Sequence, residues 1–318
     1  MPSNGQNGWP ALAEGAHTDS FGTRLQTVFD TLGALCVGID PHPYLLSSWG
    51  LPDSAAGVRE FGLRVVAAAS GVAGIVKPQV AFFERHGSAG FAALETVLAA
   101  ARAAGVLVIA DAKRGDLGTS VEAYGEAWLS PGSPLEADAL TINAYMGVGS
   151  IAAPMALAEK HGKGLFVLAA TSNPEAGEIQ LARRFLPGHS SPVHSSLSPQ
   201  AAEFSTTVAS SIVAEVTNWN LEHSRARPSF SLGSIGVVLG ATVNFANFEI
   251  DLDSLTHTPV LAPGFGHQGA RYDQLGAIFA QAAPVTIVSA SRSILQSGPT
   301  GIAGAIIAHS REVQQCRR

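Results

Sequence analysis

From Ala34 to the C-terminus, short unbroken apolar runs alternate with Ala-rich stretches of helical period. The runs are Ala34–Ile39, Gly74–Val76, Val106–Ala110, Ala139–Ile142, Gly164–Leu168, Ser234–Leu239, Pro259–Ala262 and Pro284–Val288. None shows the apolar–polar alternation of a half-exposed strand, so each predicts a parallel strand covered on both faces. Helical patterns lie between them, among them Phe91–Ala104, Thr119–Trp128, Ile151–Lys160 and Ala270–Ala282, and Phe21–Thr31 precedes the first strand. Eight such pairs in 318 residues predict an α/β fold, a single-domain (β/α)8 TIM barrel rather than an open doubly wound sheet.

Two stretches depart from the rhythm. Residues 1–19, rich in Gly, Asn, Pro and Ser, read as a mobile tail ahead of a barrel spanning 20–318. A long segment, Thr171 to Gly233, separates the fifth and sixth strands, with an insertion over about 175–233. It holds a Ser/Pro/His-rich stretch, Pro187–Pro199, and then a helical pattern, Gln200–Asn218. An excursion after a barrel strand hangs over the catalytic mouth and reads either as a lid over the substrate or as an exposed insertion; its first half, starting Thr-Ser-Asn-Pro, is the better candidate for a lid.

Composition narrows the function. Hydrophobic residues make up 46% of the chain and charged residues only 14%, below the usual quarter or so. With a net charge of −6 no broad basic face for nucleic acid is expected, and any phosphate must be held by a local pocket. Cys36 and Cys316, the only cysteines, make neither a disulfide framework nor a zinc site. No signal peptide and no apolar run of about 20 residues is seen, so the chain reads as soluble and cytoplasmic.

The chemistry concentrates at strand ends. In Val108-Ile-Ala-Asp-Ala-Lys-Arg-Gly-Asp116, Asp111 and Lys113 lie two apart at the end of a buried strand and are expected on one side of it. Asp116 follows the turn at Gly115, at the start of the next helix. Taken alone, Asp116 reads equally as an N-cap, and Lys77 at the end of Gly74-Ile-Val-Lys77 as a lysine that snorkels outward. Together with Asp40, which ends the first strand, they give three successive strands each ending in a charge at the mouth where barrel enzymes work. A purely structural origin for that run is the minority reading.

The seventh strand leads into Ala262-Pro-Gly-Phe-Gly-His-Gln-Gly269. Its G-x-G-x-x-G spacing would mark a dinucleotide fold only after a first strand, with an acid about 20 residues on. Here it follows the seventh strand, and Val285–Ser291 holds no acid. Loops after strands seven and eight of a barrel form a phosphate site, and Arg292, just past the eighth strand, supplies a guanidinium that binds phosphate oxygens in pairs.

These residues resemble the orotidine 5′-phosphate decarboxylase family. Asp111-Ala-Lys-Arg-Gly-Asp116 looks like its D-x-K-x-x-D signature. Val76–Glu84, Thr171–Pro174 and Pro263–Gly269 look like its bacterial type 2, mycobacterial-like branch. The resemblance implies a cofactor-free, metal-free carboxy-lyase that converts OMP to UMP and CO2 in de novo pyrimidine biosynthesis, as a homodimer with shared active sites. It implies that Lys77, Asp111, Lys113 and Asp116 form an alternating charge network, Asp116 reaching the partner's site, with Lys113 protonating C6. It further implies that Asp40 and the partner's Thr119 or Ser120 bind the ribose, and that Ser172 reads the pyrimidine. Pro263, Gly266, Gln268, Ser291 and Arg292 would surround the phosphate. His267 stands where a smaller residue is common in that family. Two other readings are a metal-dependent sugar-phosphate decarboxylase or synthase on the same barrel, expected to carry a carboxylate near Lys77, and a non-catalytic phosphate-binding barrel.

Overall fold

The computed structural model describes residues 19–185, 205–224 and 232–317. The tail over 1–18 and the Ser/Pro/His-rich stretch 187–199 lie outside the described residues. Eight parallel strands close into a barrel: β1 (Leu35–Ile39), β2 (Ile75–Pro78), β3 (Leu107–Arg114), β4 (Ala139–Ile142), β5 (Gly164–Ala170), β8 (Ile235–Leu239), β9 (Val260–Pro263) and β10 (Thr286–Ala290). β6 (Arg183–Phe185) and β7 (Ser205–Thr207) pair antiparallel outside the barrel. β1 pairs with both β2 and β10, which closes the ring. Nearly all barrel-strand residues are buried, as the unbroken apolar runs require. No helix among the described residues is long and apolar enough to cross a membrane.

The first helix, α1 (Phe21–Thr31), starts where Ser20 caps it, its side chain accepting from the Thr23 N–H at 3.1 Å. It covers the N-terminal end of the barrel. Phe21 packs edge-on against Phe166, with centroids 5.9 Å apart. Arg24 donates to Asp138 Oδ1 at 2.5 Å and to the Gly162 carbonyl at 2.8 Å, while Asp138 Oδ2 accepts from the Val108 N–H. These charges lie at the starts of β3, β4 and β5 and fasten the end of the barrel opposite the C-terminal strand ends.

The outer helices include α3 (Ala55–Ala69), α5 (Gly87–Ala103), α6 (Gly118–Leu129), α7 (Ala152–Lys160) and α12 (Gly298–Cys316). Two sequence expectations change. The helix read over Gln200–Asn218 is α9 (Val208–Ser224), preceded by the short strand β7. β-Branched Thr206 and Thr207 favour the strand, and Thr207 Oγ1 then accepts from the Ser210 N–H at the helix start. α9 packs on β5 and β8, and Asn220 bonds both the N–H and the carbonyl of Ile235. It is therefore the outer helix of the fifth βα unit. Ala270–Ala282 is not one helix but a 3-10 turn (Tyr272–Gln274), α10 (Leu275–Phe279) and a second 3-10 stretch (Ala280–Val285). Ala280, at φ 44°, interrupts the run, and Pro284 lies just beyond it in the second 3-10 stretch.

Candidate functional site

At the C-terminal ends of the strands, one cavity of about 240 Å³ is lined by Asp40, Lys77, Asp111, Lys113, Gln268, Ser291 and Arg292, with Gln79, Thr141, Thr171 and His267 among others. This volume lies just below the roughly 300–1,000 Å³ usual for small-molecule sites. Three cations, Lys77, Lys113 and Arg292, face two anions, Asp40 and Asp111, so the cavity is locally positive in a chain of net charge −6.

Asp111 is the hub. Its Oδ2 accepts from Lys77 Nζ at 2.7 Å and Gln79 Nε2 at 3.0 Å; its Oδ1 accepts from Lys113 Nζ at 2.5 Å and the Thr141 hydroxyl at 3.0 Å. Burial works against the charged carboxylate, yet the two ammonium groups overcome it and hold its pKa well below the usual carboxylate range. For Lys77, burial alone would lower the pKa. The charges of Asp111 and Asp40 outweigh it and raise the value. Both groups are therefore ionised across the physiological range.

Lys113 reaches Asp111 by a route that strand alternation does not foresee. Ala110 pairs with Leu140 and Arg114 with Ile142, so β3 bulges by two residues against β4. Within the bulge Lys113 adopts φ 49°, in the left-handed region, a conformation that costs a non-glycine residue about 1–3 kcal/mol. β4 and the residues after it hold the strained turn: the Lys113 N–H donates to Thr141 Oγ1 at 3.0 Å, and Asn143 Nδ2 donates to the Lys113 carbonyl at 3.2 Å. Gly115 follows because a Cβ there would lie 2.6 Å from the Asn143 side chain. Lys113 is thereby bent back over the cavity.

Asp40 lies beside the ladder. Its Oδ2 accepts from the Ser291 hydroxyl at 2.5 Å, while its Oδ1 is buried without a partner among the described residues. The close approach of the first and last barrel strands depends on Gly38, where a Cβ would sit 2.6 Å from Ser291 Cβ. An unsatisfied buried acceptor costs about 1–3 kcal/mol, and a hydroxyl donor entering the cavity would remove that cost.

Across the cavity, Gly264, Gly266 and Gly269 all have positive φ, at 117°, 72° and 108°. The loop folds on itself: the Gly266 N–H donates to the Ala270 carbonyl at 2.9 Å and the Gly269 N–H to the Gly266 carbonyl at 3.0 Å. Gln268 faces the cavity. So does Arg292, at the start of α11 (Arg292–Leu295).

A family model described as orotidine 5′-phosphate decarboxylase / HUMPS matches residues 33–305, nearly the whole barrel. The chain belongs to that family. It is 42% identical over 285 residues to the orotidine 5′-phosphate decarboxylase of Salinispora tropica, covering 90% of this chain and 93% of the relative. It is 44% identical over 276 residues to that of Nocardioides sp., covering 87% and 92%. A crystal structure described as an orotidine 5′-phosphate decarboxylase from Streptomyces avermitilis superposes with a TM-score of 0.82 at 40% identity, covering 97% of this chain and 99% of that one.

In this decarboxylase-family chain, eight of the thirteen residues singled out from sequence line the one cavity: Asp40, Lys77, Asp111, Lys113, Pro263, Gln268, Ser291 and Arg292. The other five do not. Asp116 lies ahead of α6 with its Oδ1 accepting from the Leu117 N–H, so the N-cap position falls on Leu117 instead. Thr119 and Ser120 are exposed on α6, and Ser172 is exposed beside cavity-lining Thr171. The N–H of Gly266 is engaged within its own loop. Sequence reasoning missed Gln79, Thr141 and the apolar wall of Leu168, Val238 and Leu261. Gln79 and Thr141 each lie two residues beyond an inward-facing strand position, at Lys77 and Ala139 respectively. Strand period is the signal that would have found them.

Proposed function

We propose that this chain decarboxylates orotidine 5′-monophosphate to UMP and CO2, in pyrimidine biosynthesis in the cytoplasm, using its own side chains without metal or organic cofactor. The observation that carries this reading is the single Asp111 carboxylate clamped between Lys77 and Lys113 at the mouth of the barrel. A divalent cation would need carboxylate oxygens, and those of Asp111 are already taken by two ammonium groups and two neutral donors. A lysine, rather than a carboxylate, occupies position 77.

The chemistry follows from the charges. Loss of CO2 leaves an electron pair on C6 of the pyrimidine. The Lys113 ammonium, fixed over the cavity by the bulge, stabilises that charge without reorganising solvent and then donates its proton to C6. Asp111 near the departing carboxylate repels it by about 4 kcal/mol at ~4 Å and an effective dielectric of about 20. That is a minor part of the ~8–23 kcal/mol by which enzymes lower barriers. Carbanion stabilisation is therefore assigned the larger share. Leu168, Val238 and Leu261 keep this wall apolar, which strengthens both terms and suits the release of neutral CO2. Asp40 Oδ1 would accept from a ribose hydroxyl, Ser172 would read the pyrimidine, and Gln268 with Arg292 would hold the phosphate, adding remote binding energy that is used in the transition state.

The test is loss of OMP absorbance before and after exhaustive EDTA treatment. Turnover should be unchanged by the chelator; activity lost to EDTA and restored by Mg2+ would instead support the metal-dependent readings of this barrel.

Asp116, Thr119 and Ser120 are assigned to a partner's site in a homodimer. Supporting this, Leu117, Tyr124, Tyr145 and Met146 are exposed around Asp116, with Tyr145 at 78%, and Gly115 packs the two loops together at Asn143. Such a patch is uncommon on a monomer. Mixing inactive Lys113→Ala with inactive Asp116→Ala protein should regenerate activity on subunit exchange, because one site of each heterodimer then carries neither lesion. Exchange verified by a tag without any return of activity would show that each site is built from one chain.

A further inference from the structure

The phosphate grip is split between two elements with no strand in common: Gln268 on the loop after β9, and Arg292 at the start of α11. Loops of this kind do not fix their own spacing to fractions of an ångström. One buried side chain touches both. Tyr272 is 5% exposed. Its ring stacks on Phe265, with centroids 5.7 Å apart and planes at 25°, and Phe265 lines the cavity. On the other side, a Cβ placed on Gly266 would lie 2.7 Å from Ser293 Oγ and 4.0 Å from Tyr272 Oη, so both hydroxyls flank the glycine loop at Gly266. Ser293 is the residue after Arg292.

The hydroxyl is itself anchored. Tyr272 Oη and His309 Nδ1 form a hydrogen bond of 2.7 Å, and the imidazole meets the phenol ring edge-on at 5.5 Å. His309 belongs to α12, the long helix that packs on α3 and supports α11. Burial pushes the Tyr272 hydroxyl up to about 12 and lowers His309, so the pair is neutral and the contact is an ordinary hydrogen bond that salt does not screen.

We propose that Tyr272, held by His309, is a positioning residue that sets the Gly264–Gly269 loop against α11, so that Gln268 and Arg292 face the same phosphate. It touches no reacting atom and acts through Phe265, Ser293 and the glycine loop. The inference rests on the phosphate reading of Gln268 and Arg292 given above.

The experiment measures steady-state kinetics of the full-length enzyme with OMP and with orotidine, its phosphate-free nucleoside. Tyr272→Phe removes only the hydroxyl; His309→Ala removes its partner while leaving Tyr272 in place; His309→Gln restores a side chain able to bond it. Tyr272→Phe and His309→Ala should each raise KM for OMP about three- to tenfold, the range for one net hydrogen bond, with kcat within about twofold and orotidine kinetics unchanged. His309→Gln should recover most of the loss. A merely structural pair would instead lower thermal stability and depress both substrates alike, and that result, or unchanged OMP kinetics in both variants, would overturn the proposal. If Tyr272→Phe does not fold, His309→Ala decides alone. Arg292→Ala, run in parallel, separates the two levels. If it too fails to distinguish OMP from orotidine, the phosphate reading is at fault; if it distinguishes them and the Tyr272 and His309 variants do not, only the positioning role is.

Discussion

Lys77 and Asp111, each 7% exposed, stand on adjacent barrel strands and are joined at 2.7 Å. Opposite them, Gln268 and Arg292 stand on a glycine loop and a four-residue helix, and the Arg292 guanidinium has no carboxylate partner among the described residues. The ladder is complete before any substrate arrives: each acceptor atom of Asp111 already has two donors. Gln268 and Arg292, proposed above to hold the phosphate, line the same cavity from the other side. The part proposed to stabilise a short-lived charge is thus built from strands and buried ion pairs, where reorganisation is small. The part proposed to hold the nucleotide's phosphate is built from loops, where side chains can move.

The sharpest way to break this contrast is inside the ladder itself. Lys113→Ala should lower kcat at least about 10³-fold, the scale of a lost proton donor and carbanion stabiliser, while leaving the fold intact, since the Lys113 side chain is 48% exposed. Lys77→Ala should damage activity and stability together, because it removes the buried partner of Asp111. Breaking a buried pair costs about 3–5 kcal/mol, visible as a lower denaturant midpoint. The pH signs follow from the two shifts. Asp111, with its pKa lowered in the fold, contributes stability that is present above the unfolded value of about 3.9 and lost as pH falls through the folded one. Lys77, with its pKa raised, contributes stability that is present below about 10.4 and lost as pH rises through its folded value. The stability gap between the native enzyme and Lys77→Ala should therefore be flat from about pH 5 to 9. If Lys113→Ala unfolds as readily as Lys77→Ala, the division between a structural and a chemical lysine is wrong.

The loop side predicts a smaller and more selective loss. Arg292→Ala should reduce kcat/KM for OMP by about 1.5–3 kcal/mol, roughly ten- to a hundredfold, as expected for a charge-assisted contact. Orotidine should be nearly indifferent. Equal losses for both substrates would make Arg292 a structural residue.

How much of this was legible in the sequence differs between the same two regions. The ladder could be read because a charge at the end of an otherwise apolar run is rare, and barrel topology brings consecutive strand ends together: Gly38 pairs with Lys77, and Gln79 bridges to Asp111. The glycine loop could be read from its place after the seventh barrel strand. What stayed hidden depends on local geometry that no periodicity encodes. The bulge that turns Lys113 back depends on Thr141 and Asn143, 28 and 30 residues away. The N–H of Gly266 goes to its own loop, and α9 looked like part of an insertion because β7 and a long stretch of sequence separate it from β5. Backbone hydrogen bonds between distant segments carry no composition signal, so they appear only once the chain is folded.

The smallest effect tests where the excursion after β5 belongs. Gln180, on α8 (Ala176–Gln180), clamps Thr171 twice: its Oε1 accepts from the Thr171 N–H and its Nε2 donates to Thr171 Oγ1, both at 2.9 Å. The Thr171 hydroxyl donates in turn to Asn173 Oδ1 at 2.8 Å. Thr171 lines the cavity and precedes Ser172, the residue assigned to the pyrimidine. Gln180→Ala should therefore lower kcat/KM about three- to tenfold, the scale of one net hydrogen bond in a partly exposed place. Because the pyrimidine is common to OMP and orotidine, both should lose equally, the opposite of Arg292→Ala. Thr171→Val removes the hydroxyl end of the same clamp, so the double variant should lose less than the two single losses combined. If Gln180→Ala impairs OMP and spares orotidine, this segment closes over the phosphate rather than the base, and the excursion belongs functionally to the loop side of the cavity.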